Sequence, residues 1–163
     1  MEINLKVNSF ATIVPFQRYS VVNFYSIKSE DKDLSEADDF FQRMSENNGI
    51  EDQLERLVYW MEQLGDGAID VEDLRHEGIC QALPPDRRVT NEFIELRLYC
   101  HIISDKVIIL FNGDIKTAMK AKDCPNVGPH HRRATAWASK LDKEKIEIDH
   151  NIIKNLDEIL LTY

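Results

Sequence analysis

"IELRLYCHII", residues 94 to 103, alternates an apolar residue with a different kind from Ile94 to Ile102, and that alternation decides the sheet. A strand turns successive side chains to opposite faces, so Ile94, Leu96, Leu98, Cys100 and Ile102 share one face. Glu95, Arg97, Tyr99 and His101 share the other, which is either a wet surface or a row of groups able to do chemistry.

The flanking segments extend the pattern. "LRHEGICQALP" before it and "DKVIILFNGDIKTA" after it are strand-like, and their short polar connections favour an antiparallel meander. In the latter, Ile108 and Leu110 face one way and Val107, Ile109 and Phe111 the other, so this strand is expected to be central and covered on both faces. Upstream, "RYSVVNFYSI" at 18–27 reads as a strand. Ser35 with Asp38 is a capping box opening a helix to about Glu46, with Ala37, Phe40, Phe41 and Met44 on one stripe. After "NNG", the residues Ile50, Leu54, Leu57, Val58, Met61 and Leu64 keep helical spacing up to "GDG". A helical hairpin is expected over 35–64, packed on the face bearing Leu96, Leu98 and Cys100. Downstream, "KAKDCPNVGP" reads as a loop, "HHRRATAWASKLDK" as a helix and "KIEID" as a short strand. Asp149 is placed to cap a last helix carrying Ile152, Ile153, Leu156, Ile159 and Leu160. Residues 1 to about 15 read as a strand or an ordered arm.

Composition bounds the rest. A chain of 163 residues is expected to form one domain with a real core. No apolar run approaches the ~20 residues of a membrane span, and "MEINLKVNSF" does not read as a signal peptide. Cys80, Cys100 and Cys124 are odd in number and widely spaced, as reduced thiols are, so a cytoplasmic location is expected. The formal charge of -9 is unevenly spread. Residues 1–86 hold 7 basic against 18 acidic residues, whereas 87–133 hold 9 basic against 5 acidic. A local anion site in an acidic chain has this profile, and so does a solvated surface.

The ordered words "VVNFYS", "EADDFFQRM", "LERLVYWMEQLGDG", "LRHEGICQAL", "FIELRLYCHI", "VIILFNGDIKTAMKAKDCP" and "RRATAWASKLD" resemble the RelE/HigB superfamily of bacterial type II toxins. The resemblance covers roughly residues 18–142, leaving an arm at 1–17 and an extension at 143–163 of one domain. It implies a RelE-like α+β fold: a small, mostly antiparallel sheet, an N-terminal helical hairpin on one face, and C-terminal helices. It also implies a toxin that cleaves messenger RNA without a metal or other cofactor, often on the ribosome, and that is held by a small antitoxin. The chemistry is attack of a 2′-hydroxyl on the adjacent phosphate, which needs proton transfer and positive charge around phosphorus. Glu95, Leu96 and Arg97 match the family's "ELR" word, and Lys116 and Thr117 match the end of its basic word. Where the family often has adjacent lysines, this chain reads Asp114, Ile115, Lys116.

The expected catalytic set is Arg97 and Lys116 on phosphate, with Tyr99 and His101 handling protons or stacking on a base. Lys120, Lys122, Arg132 and Arg133 form the densest basic cluster and are expected to bind RNA. Cys124, His130 and His131 do not make a metal site, because adjacent histidines diverge and no second pair stands at finger-like spacing. An oligomer through the last helix is a further expectation. The alternative to a toxin is a non-catalytic interaction module of mobile-element origin.

Overall fold

The computed structural model describes residues 9–118 and 120–162, apart from the side chain of Lys122. Residues 1–8 of the arm expected at 1–17 lie outside the described residues, and the rest of it, read as a strand or an ordered arm, leads into a strand. Seven strands form one sheet: β1 (Phe10–Arg18), β2 (Asn23–Ser29), β3 (Arg75–Glu77), β4 (Cys80–Leu83), β5 (Leu96–Ser104), β6 (Val107–Ile115) and β9 (Leu161–Thr162). Their spatial order is β3-β4-β5-β6-β2-β1-β9. Every neighbouring pair is antiparallel except β2 and β6, which run parallel with Asn23 opposite Val107 and Ser26 opposite Leu110. The helices are α1 (Glu36–Ser45), α2 (Glu51–Gly65), the single turn α3 (Arg87–Thr90) and α4 (Gly128–Leu141).

This architecture corrects the expected RelE-like class. The sheet is a seven-stranded mixed one rather than a small one, because residues 10–18 form a full strand paired along β2, with a bulge between Pro15 and Gln17, and β2 runs parallel to β6. The helical pair is therefore preceded by two strands and lies mid-chain rather than at the N-terminus. "LRHEGICQALP" is itself a hairpin, β3 and β4, turned at Gly78 with φ +80. The expected last helix is absent. Ile148–Asp149 (β7) and Ile152–Ile153 (β8) pair as a separate hairpin, and Leu161 then lies opposite Ala11 at the sheet edge.

Local hydrogen bonds explain that last correction. The Asn155 side chain donates to Lys145 O at 2.7 Å and accepts from Glu147 N at 2.9 Å, and the Tyr25 hydroxyl accepts from Ile153 N at 2.9 Å. His150 sits at φ +55 in the tight connection. These bonds satisfy the backbone without a helix, and Ile153, Ile159 and Leu161 reach the core from extended positions. Of the apolar stripe expected on that helix, Ile153 and Ile159 are buried in the chain's own core, whereas Ile152 and Leu160 are exposed.

Two apolar layers flank the sheet. Leu96, Leu98 and Cys100 of β5, with Ile108 and Leu110 of β6, pack on Phe40, Met44, Leu57, Met61 and Leu64 of α1 and α2. The opposite face, with Tyr99, Val107, Ile109 and Phe111, is closed by Ala134, Trp137, Ala138 and Leu141 of α4. Each fully buried aliphatic or aromatic side chain stabilises by about 1.5–3 kcal/mol relative to exposure, so both layers are needed. β6 lies fourth of seven, with Val107 to Phe111 buried throughout. Gly113 is required where β5 and β6 pair around a register shift: a Cβ there would lie 1.7 Å from the Arg97 carbonyl oxygen. No helix among the described residues is long and apolar enough to cross a membrane.

Candidate functional site at the ends of the parallel strands

Because β2 and β6 are neighbours and parallel, their carboxyl ends lie at the same end of the sheet. The chain leaves β2 into α1 on one face and leaves β6 into α4 on the other. A crevice opens outside strand ends that diverge in this way, and such crevices are where open sheets bind ligands. Here it has a volume of about 580 Å³ and is lined by Lys32, Glu36, Asp39, Asn112, His130 and Arg133, among others.

The α1 side is fixed by capping. Ser35 Oγ accepts from Asp38 N at 3.1 Å, and Ser26 Oγ accepts from Ala37 N at 3.0 Å while donating to Leu110 O at 2.9 Å. The second bond pair ties the start of α1 directly to β6. On the opposite side α4 begins with Gly128 and Pro129, as befits a proline in a first helical turn. That first turn holds no acidic residue, so none of its own side chains compensates its positive dipole end.

Asn112 is the hub between these walls. Its Nδ2 donates to Glu36 Oε2 at 3.0 Å and to Asp39 Oδ2 at 2.8 Å, and its Oδ1 accepts from Gly113 N at 2.8 Å and from Arg43. Arg43 also reaches Asp39 Oδ2 at 2.9 Å, Asp114 Oδ2 at 3.0 Å and Gly113 O at 2.8 Å. Glu36, only 6% exposed, accepts from Arg133 Nη2 at 2.9 Å. A carboxylate so buried persists because each oxygen has a donor. At Asp39, burial pushes the carboxyl up, but the bonds from Asn112 and Arg43 outweigh it and hold the group below the usual range.

His130 enters from α4. Its Nδ1 is buried without a hydrogen-bond partner, so an imidazolium there would carry an unsatisfied N–H. Burial, then the nearby Arg43 charge, pushes its pKa below the ordinary value. Both effects favour the neutral imidazole over the imidazolium.

The residues singled out from the sequence divide differently. Arg97 and Lys116 do share a cleft of about 470 Å³, with Phe93 and Glu95, beyond the start of β5 and the end of β6. Tyr99 and His101 are not with them. Tyr99 is 0% exposed beneath α4, its ring 5.4 Å from that of His131, and the His101 Nε2 lies 2.7 Å from Asp142 Oδ1 at the end of α4. The row asked about at the outset is thus mostly interior. Lys120 and Arg132 are exposed, Arg133 lines the crevice, and the Lys122 side chain lies outside the described part. Asp114 is bound by Arg43 and is not among the residues lining the Lys116 cleft.

Glu36, Asn112, Lys32 and the role of His130 were missed by sequence reasoning. Only Asn112 carried a legible signal, as a polar residue closing the apolar run "VIILFN" of a central strand. Compared with protein-family models, curated proteins and solved structures, the chain matches none.

Proposed function

We propose that the protein is a metal-independent RNA endonuclease acting as the toxin of a type II system, with the crevice between α1 and α4 as its catalytic centre. The observation that carries the reading is a neutral imidazole, a buried carboxylate and two cationic side chains lining one pocket at the ends of the parallel strands. In this reading His130 takes the proton of a 2′-hydroxyl as its oxygen attacks the adjacent phosphorus. The bond from phosphorus to the 5′-oxygen breaks, that oxygen is protonated from solvent at the open mouth, and a 2′,3′-cyclic phosphate remains. Arg133 and Lys32 balance the added negative charge on phosphorus, and Glu36 positions Arg133. The reading places the protein in the cytoplasm, where its RNA substrate and an antitoxin are found.

A partner surface is also at hand. Leu54, Val58 and Tyr59 line a groove of about 490 Å³ along α2, edged by Glu51, Glu55 and Glu62. An apolar floor with an acidic rim suits a basic, partly apolar antitoxin segment. The same groove favours the second reading, a non-catalytic interaction module.

The test is purified protein incubated with mixed-sequence RNA in EDTA, and separately with translating ribosomes in magnesium buffer, alongside induction in bacteria. Cleavage leaving 2′,3′-cyclic phosphate ends is expected, slowed about a hundredfold or more by His130→Ala at unchanged melting temperature. No cleavage in either condition together with no growth arrest overturns the enzymatic reading in favour of the interaction module.

A further inference from the structure

The second cleft, beside the start of β5, holds a buried guanidinium. Arg97 is 7% exposed, yet it has no carboxylate partner among the described residues. Its Nη1 donates to Ile94 O at 2.6 Å and Leu96 O at 2.8 Å, while its Nε is buried without any acceptor. Burial first, then the like charge of Arg75, pushes the guanidinium down to about 10 against the opposing pull of Glu77, Tyr99 and Asp86, none of which forms an ion pair with it. A cation buried in this way is costly unless an anion completes it.

The rest of the cleft indicates what that anion is attached to. Lys116 follows β6 directly, its backbone N–H donating to Glu95 O at 2.8 Å, and so presents a second positive charge on the same cleft. Phe93 stands at the lip 73% exposed, the most exposed large apolar side chain described. It has no aromatic partner among the described ring contacts. An exposed ring beside paired cations is the arrangement that stacks an unpaired base while the cations hold its phosphate. Glu95 would repel phosphate but is an acceptor for a 2′-hydroxyl, which RNA has and DNA lacks.

We propose that this cleft is a binding site for one unpaired nucleotide of single-stranded RNA, with its phosphate on Arg97 and Lys116 and its base on Phe93. The inference rests on the reading of the protein as an RNA-acting one, but it assigns no chemistry to the cleft. These are binding residues, and the proton-transfer groups lie in the other crevice.

The experiment measures fluorescence anisotropy of a labelled eight-nucleotide unpaired RNA on the full chain carrying His130→Ala, so that binding is read without cleavage. Comparison ligands are a DNA of the same sequence and a fully paired RNA duplex. Unpaired RNA is expected to bind best, Phe93→Ala to weaken it about tenfold or more, and Lys116→Ala to weaken it with a shallower salt dependence. Arg97→Lys, which keeps the buried charge but loses the fork, tests the phosphate contact if Arg97→Ala does not fold. Equal binding of duplex and single strand, or binding indifferent to both Phe93→Ala and Lys116→Ala, overturns the proposal. The two readings separate cleanly. Cleavage by the wild type with Phe93-independent binding removes this cleft alone, and Phe93-dependent binding without cleavage by the wild type supports the cleft while removing the endonuclease.

Discussion

Asn112→Leu is the perturbation that most directly weighs the network joining the two walls of the crevice. The amide makes four hydrogen bonds, two of them donated to the carboxylates of Glu36 and Asp39 and one accepted from the Arg43 guanidinium. Bonds to charged groups contribute about 1.5–3 kcal/mol each, but Glu36 keeps Arg133, and Asp39 keeps Arg43 together with contact with water. The losses are therefore partial, and leucine recovers some apolar burial. A net destabilisation of about 3 kcal/mol is expected, which for a domain of this size lowers the melting temperature by about 6–12 °C. Asn112→Asp keeps the shape but removes both donors and adds a carboxylate beside Glu36 and Asp39. It should be at least as damaging at pH 7 and recover as the pH is lowered. Urea unfolding of both variants, at an m-value equal to that of the wild type, measures the loss. In a cycle with Glu36→Gln the two changes should couple by about 1 kcal/mol. A loss below about 1 kcal/mol, or additivity within about 0.5 kcal/mol, refutes the hub role.

Gly113→Ala should cost about 3 kcal/mol or more, because its Cβ would meet the backbone of Arg97 and Leu98, which cannot move aside. Gly49→Ala is the contrast, with nothing within 4 Å and only a positive φ to oppose it, so about 1 kcal/mol is expected from thermal unfolding. His130 titrates below its unfolded value of about 6.5, so the unfolded chain binds more protons beneath that pH. Stability should fall as pH drops from about 6.5 through the folded pKa, and urea midpoints for His130→Gln should show a smaller fall. Identical slopes for the two proteins would count against a buried neutral imidazole.

What was legible in the sequence follows from the range of the forces involved. Helix spans came through because they are set within a few residues. The Ser35 cap and the stripe Ala37, Phe40, Met44 place α1 at 36–45, and the run from Leu54 to Leu64 places α2 at 51–65. The two faces of β5 were equally local. Long-range pairing was not legible. Nothing within residues 10–18 announces the partner strand β2, and nothing in 23–29 announces that its other neighbour, β6, runs parallel to it. At the C-terminus a helical spacing of Ile152, Ile153, Leu156 and Ile159 was genuine, but Asn151, Asn155 and the Tyr25 hydroxyl supply competing hydrogen bonds that periodicity does not register.

The row Glu95, Arg97, Tyr99 and His101 shows why the site was harder to read than the fold. Two-residue alternation separates the faces of a strand, but it cannot say whether the less apolar face is wet or covered by an element that comes much later. Here the cover is α4, whose buried stripe Ala134, Trp137, Ala138 and Leu141 lies over Tyr99 and whose C-cap Asp142 holds His101. Aromatic and imidazole rings serve a covered face as well as a catalytic one, because each has an apolar body and a polar edge. Arg97 differs because it lies next to the start of β5 and lines a cleft there. The same helix that closes the row brings His130 and Arg133 to the crevice from its first turns. Covering one face of the sheet and building the candidate site are therefore one structural event, and any change that displaces α4 should expose Tyr99 and dismantle the crevice together.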